Sequence, residues 1–205
     1  MPLILMLLAA SGLALALTFG TSKGRQAVDR QRLMASGKRD PNITLSYARK
    51  WGPVFGAPVP ILMTLAHNES GHNPFMRDPS ASGKGGAWGL MAQMADEAGG
   101  KIKRILGTWG HLPAVRATAK KWTGKPEDLW DPDLNMMISS WQVGRLVRKF
   151  GPRIDVVAAG YHQGEGAVGK RIAAGKPVID PKLQPKGAIY VARAEKVMPL
   201  YQGVA

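Results

Sequence analysis

Residues 131–151, DPDLNMMISSWQVGRLVRKFG, give the clearest helix pattern in this sequence. Asp131 is a favourable N-cap, Pro132 suits the first helical position, and Gly151 would end the helix. One face carries four apolar residues at helical spacing, namely Leu134, Met137, Ile138 and Trp141. The segment therefore predicts a long helix with a buried face.

The rest of the chain gives a similar signal, because other apolar segments also show helical spacing. These segments are 43–51, 57–70, 153–163, 165–175 and 187–201, and a further helix would start within 88–98. Residues 71–87 are rich in Gly, Ser and Asp and predict an irregular loop, while 107–113 predict a turn-rich break. No alternating run of useful length argues for a sheet. The sequence therefore predicts a mostly α, compact body.

Charge and cysteine content restrict the classes of partner and chemistry. The net charge is +14, which favours anionic partners such as nucleic acid, acidic lipid or an acidic cell-wall polymer. The chain has no cysteine, which excludes disulfides and thiolate chemistry. We therefore treat DNA or anionic lipid as candidate partners of a basic surface, and homo-oligomerisation stays open.

The N-terminus differs in composition from the rest of the chain. Residues 2–19 carry no charged side chain and, as a helix rising about 1.5 Å per residue, would just cross a bilayer core. We predict a transmembrane or membrane-inserting helix in 1–20, a basic linker in 21–41 and a folded domain in 42–205. A cleaved signal peptide and a protein-buried helix are the alternatives, although no Lys or Arg precedes the apolar run. The basic residues after it favour a cytoplasmic location for the domain.

A carboxylate follows the apolar stripe of the 57–70 helix. Ile61, Leu62, Leu65 and Ala66 repeat at helical spacing, Glu69 is the next position on that face, and Gly71 follows. A buried acid without a partner is costly unless it takes up a proton. Glu69 is either a helix-end acid paired with a cation or a general acid with a raised pKa.

Other chemistries fit the residues poorly. The histidines nearest Glu69, His67 and His72, are five positions apart across Gly71, whereas the zinc-protease helix needs a spacing of four. The SGKGG segment lacks the remaining residues of a phosphate-binding loop, and no nucleophile elbow supports a Ser-His-Asp triad. We therefore expect no metal and no organic cofactor.

Five short motifs in order resemble the soluble lytic transglycosylase (SLT) domain family, which is related to goose-type lysozymes. They are ESGHNP (69–74), AWGLMAQM (87–94), LWDPDLNMMISSWQV (129–143), AAGYHQGEGAV (158–168) and AIYVARAEKVM (188–198). The resemblance implies a lysozyme-like helical domain, here preceded by the N-terminal hydrophobic helix.

The resemblance also implies a reaction on peptidoglycan glycan strands. Glu69 would protonate the oxygen between N-acetylmuramic acid and N-acetylglucosamine, and the ionised carboxylate would then deprotonate the muramic acid 6-hydroxyl. That hydroxyl would close on the anomeric carbon and give a 1,6-anhydro sugar without water. The expected substrate-binding residues are Ser70, Trp88, Gly89, Leu90, Met91, Gln93, Tyr161, Gln163 and Tyr190. For Trp88, Met91 and the two tyrosines, packing in the core is the alternative. Asn135 is expected to support the fold.

Two positions depart from the family motifs and put sugar contacts in doubt. The glutamine expected after Gly-Leu-Met is Ala92, with Gln93 one position later, and the Tyr-Asn-Ala-Gly turn has His162 in place of asparagine. Three other acids, Asp78, Asp96 and Glu97, are candidates to position water and make the enzyme a hydrolase, but no motif places them opposite Glu69.

The leading hypothesis from the sequence is a peptidoglycan lytic transglycosylase, either membrane-anchored through residues 2–19 or carried in a phage virion for wall penetration. It would act at the periplasmic side of the bacterial envelope, against the orientation that the basic residues favour, or be inserted into the envelope from a virion, which does not depend on the host's insertion machinery. A muramidase that uses water is one alternative. A glycan-binding structural or channel protein with reduced activity is the other, because function depends on the site rather than on the fold.

Overall fold

The computed structural model describes residues 39–81 and 85–204. The predicted membrane helix of residues 1–20 and most of the predicted linker lie outside these residues. Within them, no helix combines the length and the hydropathy that crossing a bilayer requires. The described residues belong to one compact unit that begins at Arg39.

Eight α-helices make up most of the described chain, as the sequence predicts. Their bounds are α1 Pro41–Phe55, α2 Val59–Ser70, α3 Ala95–Trp109, α4 Pro113–Ala119, α5 Pro132–Phe150, α6 Ile154–Gln163, α7 Glu165–Ala173 and α8 Pro185–Val197. Two short 3₁₀ segments, Pro126–Trp130 and Met198–Tyr201, precede α5 and follow α8.

Helix α5 lies at the centre of the domain and begins as its sequence predicts. The Asp131 carboxylate accepts a hydrogen bond from the Leu134 amide at 2.9 Å, and Pro132 occupies the first helical position. The predicted apolar face is buried, with Leu134, Met137 and Ile138 inaccessible to solvent. Helix α1 packs along α5, while α2, α3, α4 and α6 also contact α5 and complete one hydrophobic core.

A small antiparallel sheet corrects the prediction that residues 71–98 contain only a loop and a helix start. Strands β1 (Arg77–Asp78), β2 (Ala87–Trp88) and β3 (Gln93–Met94) pair in that order, with Trp88 opposite both Arg77 and Gln93. Helix α3 starts only after β3, at Ala95. Strands of two residues are too short to produce an alternating pattern, which is why the sequence does not reveal them.

Several other boundaries also differ from the sequence prediction. Helix α3 continues to Trp109, so the predicted break at 107–113 shrinks to the residues between α3 and α4. The predicted C-terminal helix of 187–201 starts earlier, at Pro185, and changes to a 3₁₀ segment at Met198. Helices α6 and α7 lie on either side of a single residue, Gly164, and confirm the predicted pair.

Candidate active site

Glu69 lies in the last turn of α2, where the buried face of that helix ends. The predicted stripe Ile61, Leu62, Leu65 and Ala66 is almost completely buried. Gly71 ends the helix in the left-handed conformation (φ 60°) and donates its amide to the Ala66 and His67 carbonyls. The structure thus places a carboxylate at the rim of the core.

Burial controls the ionisation of Glu69. Loss of hydration raises its pKa to about 7, although a hydrogen bond from Tyr190 acts in the opposite direction. The Tyr190 hydroxyl donates to Glu69 Oε1 at 2.6 Å, and this bond joins α8 to α2. No charged group in residues 39–81 and 85–204 contributes to this shift. Glu69 is therefore close to half-protonated at neutral pH, as a general acid and base requires.

Tyr161 lies beside this pair but bonds to a different partner. Its hydroxyl donates to the Met91 carbonyl at 2.8 Å. Burial raises the pKa of Tyr161, and the charges of Glu69 and Glu97 raise it further. Of the two tyrosines expected at the site, Tyr190 contacts the acid. Tyr161 instead bonds to residues 89–91, which form the Gly-Leu-Met segment.

Asn135 fixes that segment from α5, which supports its predicted role in the fold. Its Oδ1 accepts from the Met91 amide at 3.0 Å, and its Nδ2 donates to the Trp88 and Leu129 carbonyls at 2.8 and 3.0 Å. The Asn135 side chain is completely buried. Gly89 lies against this amide with φ 78°, and a Cβ there would come within 2.3 Å of Asn135 Nδ2. Glycine is therefore required at position 89, because a Cβ would overlap its neighbours and the positive φ disfavours any other residue.

Three of the residues expected to contact the sugar are buried in this structure. Trp88 is only 3% exposed, with its ring against Trp130 and under the Arg77 guanidinium, so it offers no free face to a sugar. Leu90 and Met91 are completely buried and belong to the core. The sequence could not distinguish these roles because core packing and sugar stacking use the same residue types.

Gln93 also points into the protein and does not replace the glutamine missing at Ala92. It is 2% exposed, and its Nε2 donates to Ser139 Oγ at 2.9 Å and to the Tyr161 hydroxyl. Ala92 adopts φ 46°, an uncommon conformation for a residue with a Cβ. This turn directs the Gln93 side chain inwards, and the sugar contact of Gln93 stays a prediction.

Lys101 completes this network and was not recognised in the sequence. Its Nζ donates to Gln93 Oε1 and Gln142 Oε1, both at 3.0 Å, and pairs with Glu97 at 2.9 Å. Its position in the sequence could have indicated this role, because Lys101 follows the buried Ala98 by three positions and so lies on the same face of α3. A cation on a buried helix face indicates a polar network.

Ser70 connects α2 to the Gly-Leu-Met segment and does not bond to the acid. Its hydroxyl donates to the Leu90 carbonyl at 2.8 Å and accepts from the Asn73 amide at 3.1 Å. The sequence prediction gave Ser70 a bond to Glu69 or to the substrate. The observed geometry makes it a support for the loop after α2.

The end of α6 contributes the remaining predicted residue. Both amide atoms of Gln163 are buried without a hydrogen-bond partner in the described part of the chain. The preceding residue, His162, stacks on the Tyr190 ring, with ring centroids 4.7 Å apart and an interplanar angle of 13°. Gln163 therefore has unused hydrogen-bonding capacity next to the Tyr190–Glu69 pair.

The two histidines near Glu69 bond to a third residue. His67 Nδ1 and His72 Nε2 lie 3.0 and 2.7 Å from the Tyr201 hydroxyl, and His72 Nδ1 lies 3.1 Å from Thr44 Oγ1. Within the described ranges no three His, Asp or Glu side chains form a group that could hold a metal. This cluster attaches the C-terminal 3₁₀ segment to α1 and α2.

Tyr190→Phe is expected to raise the pKa of Glu69 by about one unit, because the lost hydrogen bond stabilises the carboxylate. Carbon-13 NMR of the Glu69 carboxyl group over a pH series measures this shift. Tyr201→Phe is the matched control, since that hydroxyl bonds to His67 and His72 and the variant should leave the Glu69 pKa unchanged. An unchanged pKa in Tyr190→Phe would contradict the assigned role of the hydrogen bond.

Comparison with known proteins agrees with the sequence motifs. The family model described as transglycosylase SLT domain matches residues 46–180, so Tyr190 lies beyond the match. None of the curated proteins matches this chain. The fold is similar to the crystal structure of the 70 kDa soluble lytic transglycosylase SLT70 from Escherichia coli, with a TM-score of 0.58 and 22% identity.

That similarity covers 77% of this chain and 24% of the SLT70 chain, so this protein spans about a quarter of the length of the structure it matches. At 22% identity the likeness shows the fold alone. The family model covers well over half of the chain and includes Glu69 and Tyr161. The chain belongs to the transglycosylase SLT domain family.

Proposed function

We propose that this protein is a peptidoglycan lytic transglycosylase in which Glu69 is the single catalytic acid and base. The observation that carries the proposal is the poorly solvated Glu69 carboxyl, with a pKa of about 7 and a 2.6 Å hydrogen bond from Tyr190. Family membership supports peptidoglycan as the substrate.

The proposed mechanism uses one carboxyl group twice. Protonated Glu69 gives its proton to the oxygen that bridges the two sugars, the bond from that oxygen to C1 of the muramic acid breaks, and an oxocarbenium-like state forms. The carboxylate then takes the proton of the muramic acid 6-hydroxyl, and that oxygen bonds to C1. Glu69 ends protonated, and water is neither consumed nor released. Tyr190 stabilises the ionised state between the two transfers.

The surroundings of Glu69 favour this route over hydrolysis. Glycosidases that use water place a second carboxyl group about 5 to 10 Å from the first. Asp78, Asp96 and Glu97 are exposed, Asp78 accepts hydrogen bonds from Ser80, and Glu97 pairs with Lys101. None of them contributes to the pKa shift of Glu69. A second catalytic carboxylate is therefore not supported in the described part of the chain.

An exposed cation one helical turn from Tyr190 suits an anionic substrate. Arg193 follows Tyr190 by one helical turn on α8. Burial lowers the pKa of His67 and the charge of Arg193 lowers it further, whereas burial raises the pKa of Tyr190 and Arg193 opposes that rise. The peptide stems of peptidoglycan carry carboxylates, which a guanidinium group binds well. The net charge of +14 would also attract an acidic wall polymer.

The proposal places the enzyme at the bacterial envelope, membrane-anchored or delivered with a phage virion. The uncharged residues 2–19 support insertion into a membrane. Sequencing the N-terminus of the mature protein tests this part: an intact start is expected, and a chain that begins near residue 20 would contradict it. DNA, anionic lipid and self-association stay predictions of the basic sequence.

Digestion of purified peptidoglycan by the full-length protein tests the activity. Soluble muropeptides are expected with the wild-type protein. Failure of a folded wild-type protein to release them would contradict the proposal and favour a glycan-binding or channel-forming protein.

The pH dependence of this reaction should follow the ionisation of Glu69. The first step needs the protonated acid, so kcat/KM should fall as pH rises through about 7. Initial rates over pH 5 to 9 at constant ionic strength measure this limb. An alkaline limb near the ordinary pKa of a glutamate would contradict the role of burial.

A further inference from the structure

The ring of His162 lies flat against the ring of Tyr190. Their centroids are 4.7 Å apart and the planes differ by 13°, whereas the Tyr190 hydroxyl at the far end of the ring donates to Glu69 at 2.6 Å. His162 is the last-turn residue of α6, and Tyr190 belongs to α8. The stack therefore connects one helix end to the catalytic carboxyl through a single aromatic ring.

The contact surface of α8 holds the imidazole on a second side. Gly187 precedes Tyr190 by three positions, and a Cβ added there would lie 3.6 Å from His162 Cδ2 and 3.1 Å from Gln163 Nε2. Gly187 thus lets the end of α6 approach α8 closely. His162 is exposed overall, and the contact that positions its ring is the stack on Tyr190.

We infer that His162 is a positioning residue, whose imidazole restricts the Tyr190 ring so that the phenol hydroxyl stays on Glu69. The expected effect of His162 on the cleavage rate rests on the function proposed above. Its expected effect on the pKa of Glu69 does not depend on that function. The inference is specific to this chain, because the family motif has an asparagine at this position. Asparagine has no aromatic ring with which to stack.

A consequence for Glu69 follows from the direction of the hydrogen bond. A Tyr190 ring without its stacking partner gains rotational freedom, and its hydroxyl spends less time on the carboxylate. Because this bond lowers the pKa of Glu69, its partial loss should raise that pKa. The expected rise in the Glu69 pKa is smaller than that in Tyr190→Phe, in which the bond is lost completely.

The other titratable and charged groups around the stack are unchanged by a substitution at His162. Tyr161 from α6 and Arg193 from α8 act on Tyr190, and His67 from α2 lies near Arg193. Burial lowers the pKa of His162. The variant His162→Phe, which has no ionisable group, separates the effect of the stacked ring from any effect of the imidazole charge.

The test is carbon-13 NMR of the full-length protein with labelled glutamate carboxyl groups, with the Glu69 signal assigned by its absence in Glu69→Gln. His162→Asn removes the ring and is expected to raise the Glu69 pKa by roughly half a unit. His162→Phe keeps a stacking ring without an ionisable group and should restore the wild-type value. In a Tyr190→Phe background, His162→Asn should add no further shift.

An unchanged Glu69 pKa in His162→Asn would overturn the inference, and so would an additive shift in the double variant. In the cleavage assay, His162→Asn should lower kcat/KM by roughly threefold to tenfold at pH 5 to 6, where Glu69 is protonated in both proteins, because Tyr190 then stabilises the ionised carboxylate less well, and His162→Phe should recover it. Absence of cleavage by the wild-type protein would refute the proposed function, while the NMR titration would still decide the role of His162.

Discussion

Glu69→Gln is expected to lower the rate of peptidoglycan cleavage by roughly 10³-fold or more. The amide can neither donate a proton to the glycosidic oxygen nor accept one from the 6-hydroxyl. Glutamine keeps the size of the side chain and an oxygen for the Tyr190 hydrogen bond. The loss should therefore fall on kcat and leave glycan binding nearly unchanged. Muropeptide release together with a peptidoglycan pull-down measures both quantities.

The same variant should be more stable than the wild-type protein in alkaline solution. The folded-state pKa of Glu69 is raised to about 7, so the stability that protonation contributes is complete below the unfolded pKa and is lost as pH rises through about 7. Glutamine carries no charge at any pH. Its free energy of unfolding should exceed that of the wild type by about 3 kcal/mol at pH 8 and match it at pH 4.

Glu97→Gln is the matched control for the role of the acid. Glu97 is exposed and pairs with Lys101, and its replacement should leave most of the activity. A Glu69→Gln protein with substantial activity would refute the assignment of the acid. Strong loss in Glu97→Gln would instead indicate a second catalytic carboxylate and a muramidase.

Gly89→Ala is expected to lower the free energy of unfolding by about 4 kcal/mol, which is large for a single methyl group. The backbone there has φ 78°, which strains any residue with a Cβ. The added atom would also lie 2.2 Å from the Leu129 carbonyl oxygen and 2.3 Å from Asn135 Nδ2. Urea unfolding followed by circular dichroism measures the effect.

Gly100→Ala provides the matched control in the same protein. Gly100 lies in the middle of α3, and a Cβ there would have no atom within 4 Å. Because alanine is the better helix former, this variant should gain about 0.5 to 1 kcal/mol. Equal and small effects at both glycines would contradict the close packing of Gly89 on Asn135.

The parts of the fold predicted from the sequence are those with strong local signals. Helix α5 has a capping aspartate, a first-turn proline and a four-residue apolar face, and each is observed as expected. Glu69 was recognisable because the apolar stripe of α2 leads to it and Gly71 then ends the helix. Local chemistry determines these features, so one sequence is sufficient to find them.

The residues between 87 and 94 were predicted less well, because their directions depend on tertiary contacts. Two-residue strands leave no periodic pattern, and the left-handed turn at Ala92 directs Gln93 into the core. The hydrogen bonds of Asn135 and Tyr161 determine this conformation from distant helices. For Trp88 and Met91 the sequence leaves substrate contact and core packing equally open, since composition does not indicate which side chains are buried.

The central claim is that Glu69 transfers a proton from the 6-hydroxyl of the substrate instead of activating water. Mass spectrometry of muropeptides produced in water labelled with heavy oxygen tests it directly, with Glu69→Gln as the blank. The account predicts products that end in 1,6-anhydro sugars, lighter by one water molecule than hydrolysis products and free of label. Reducing ends that carry the heavy oxygen would contradict it, because water would then be the nucleophile.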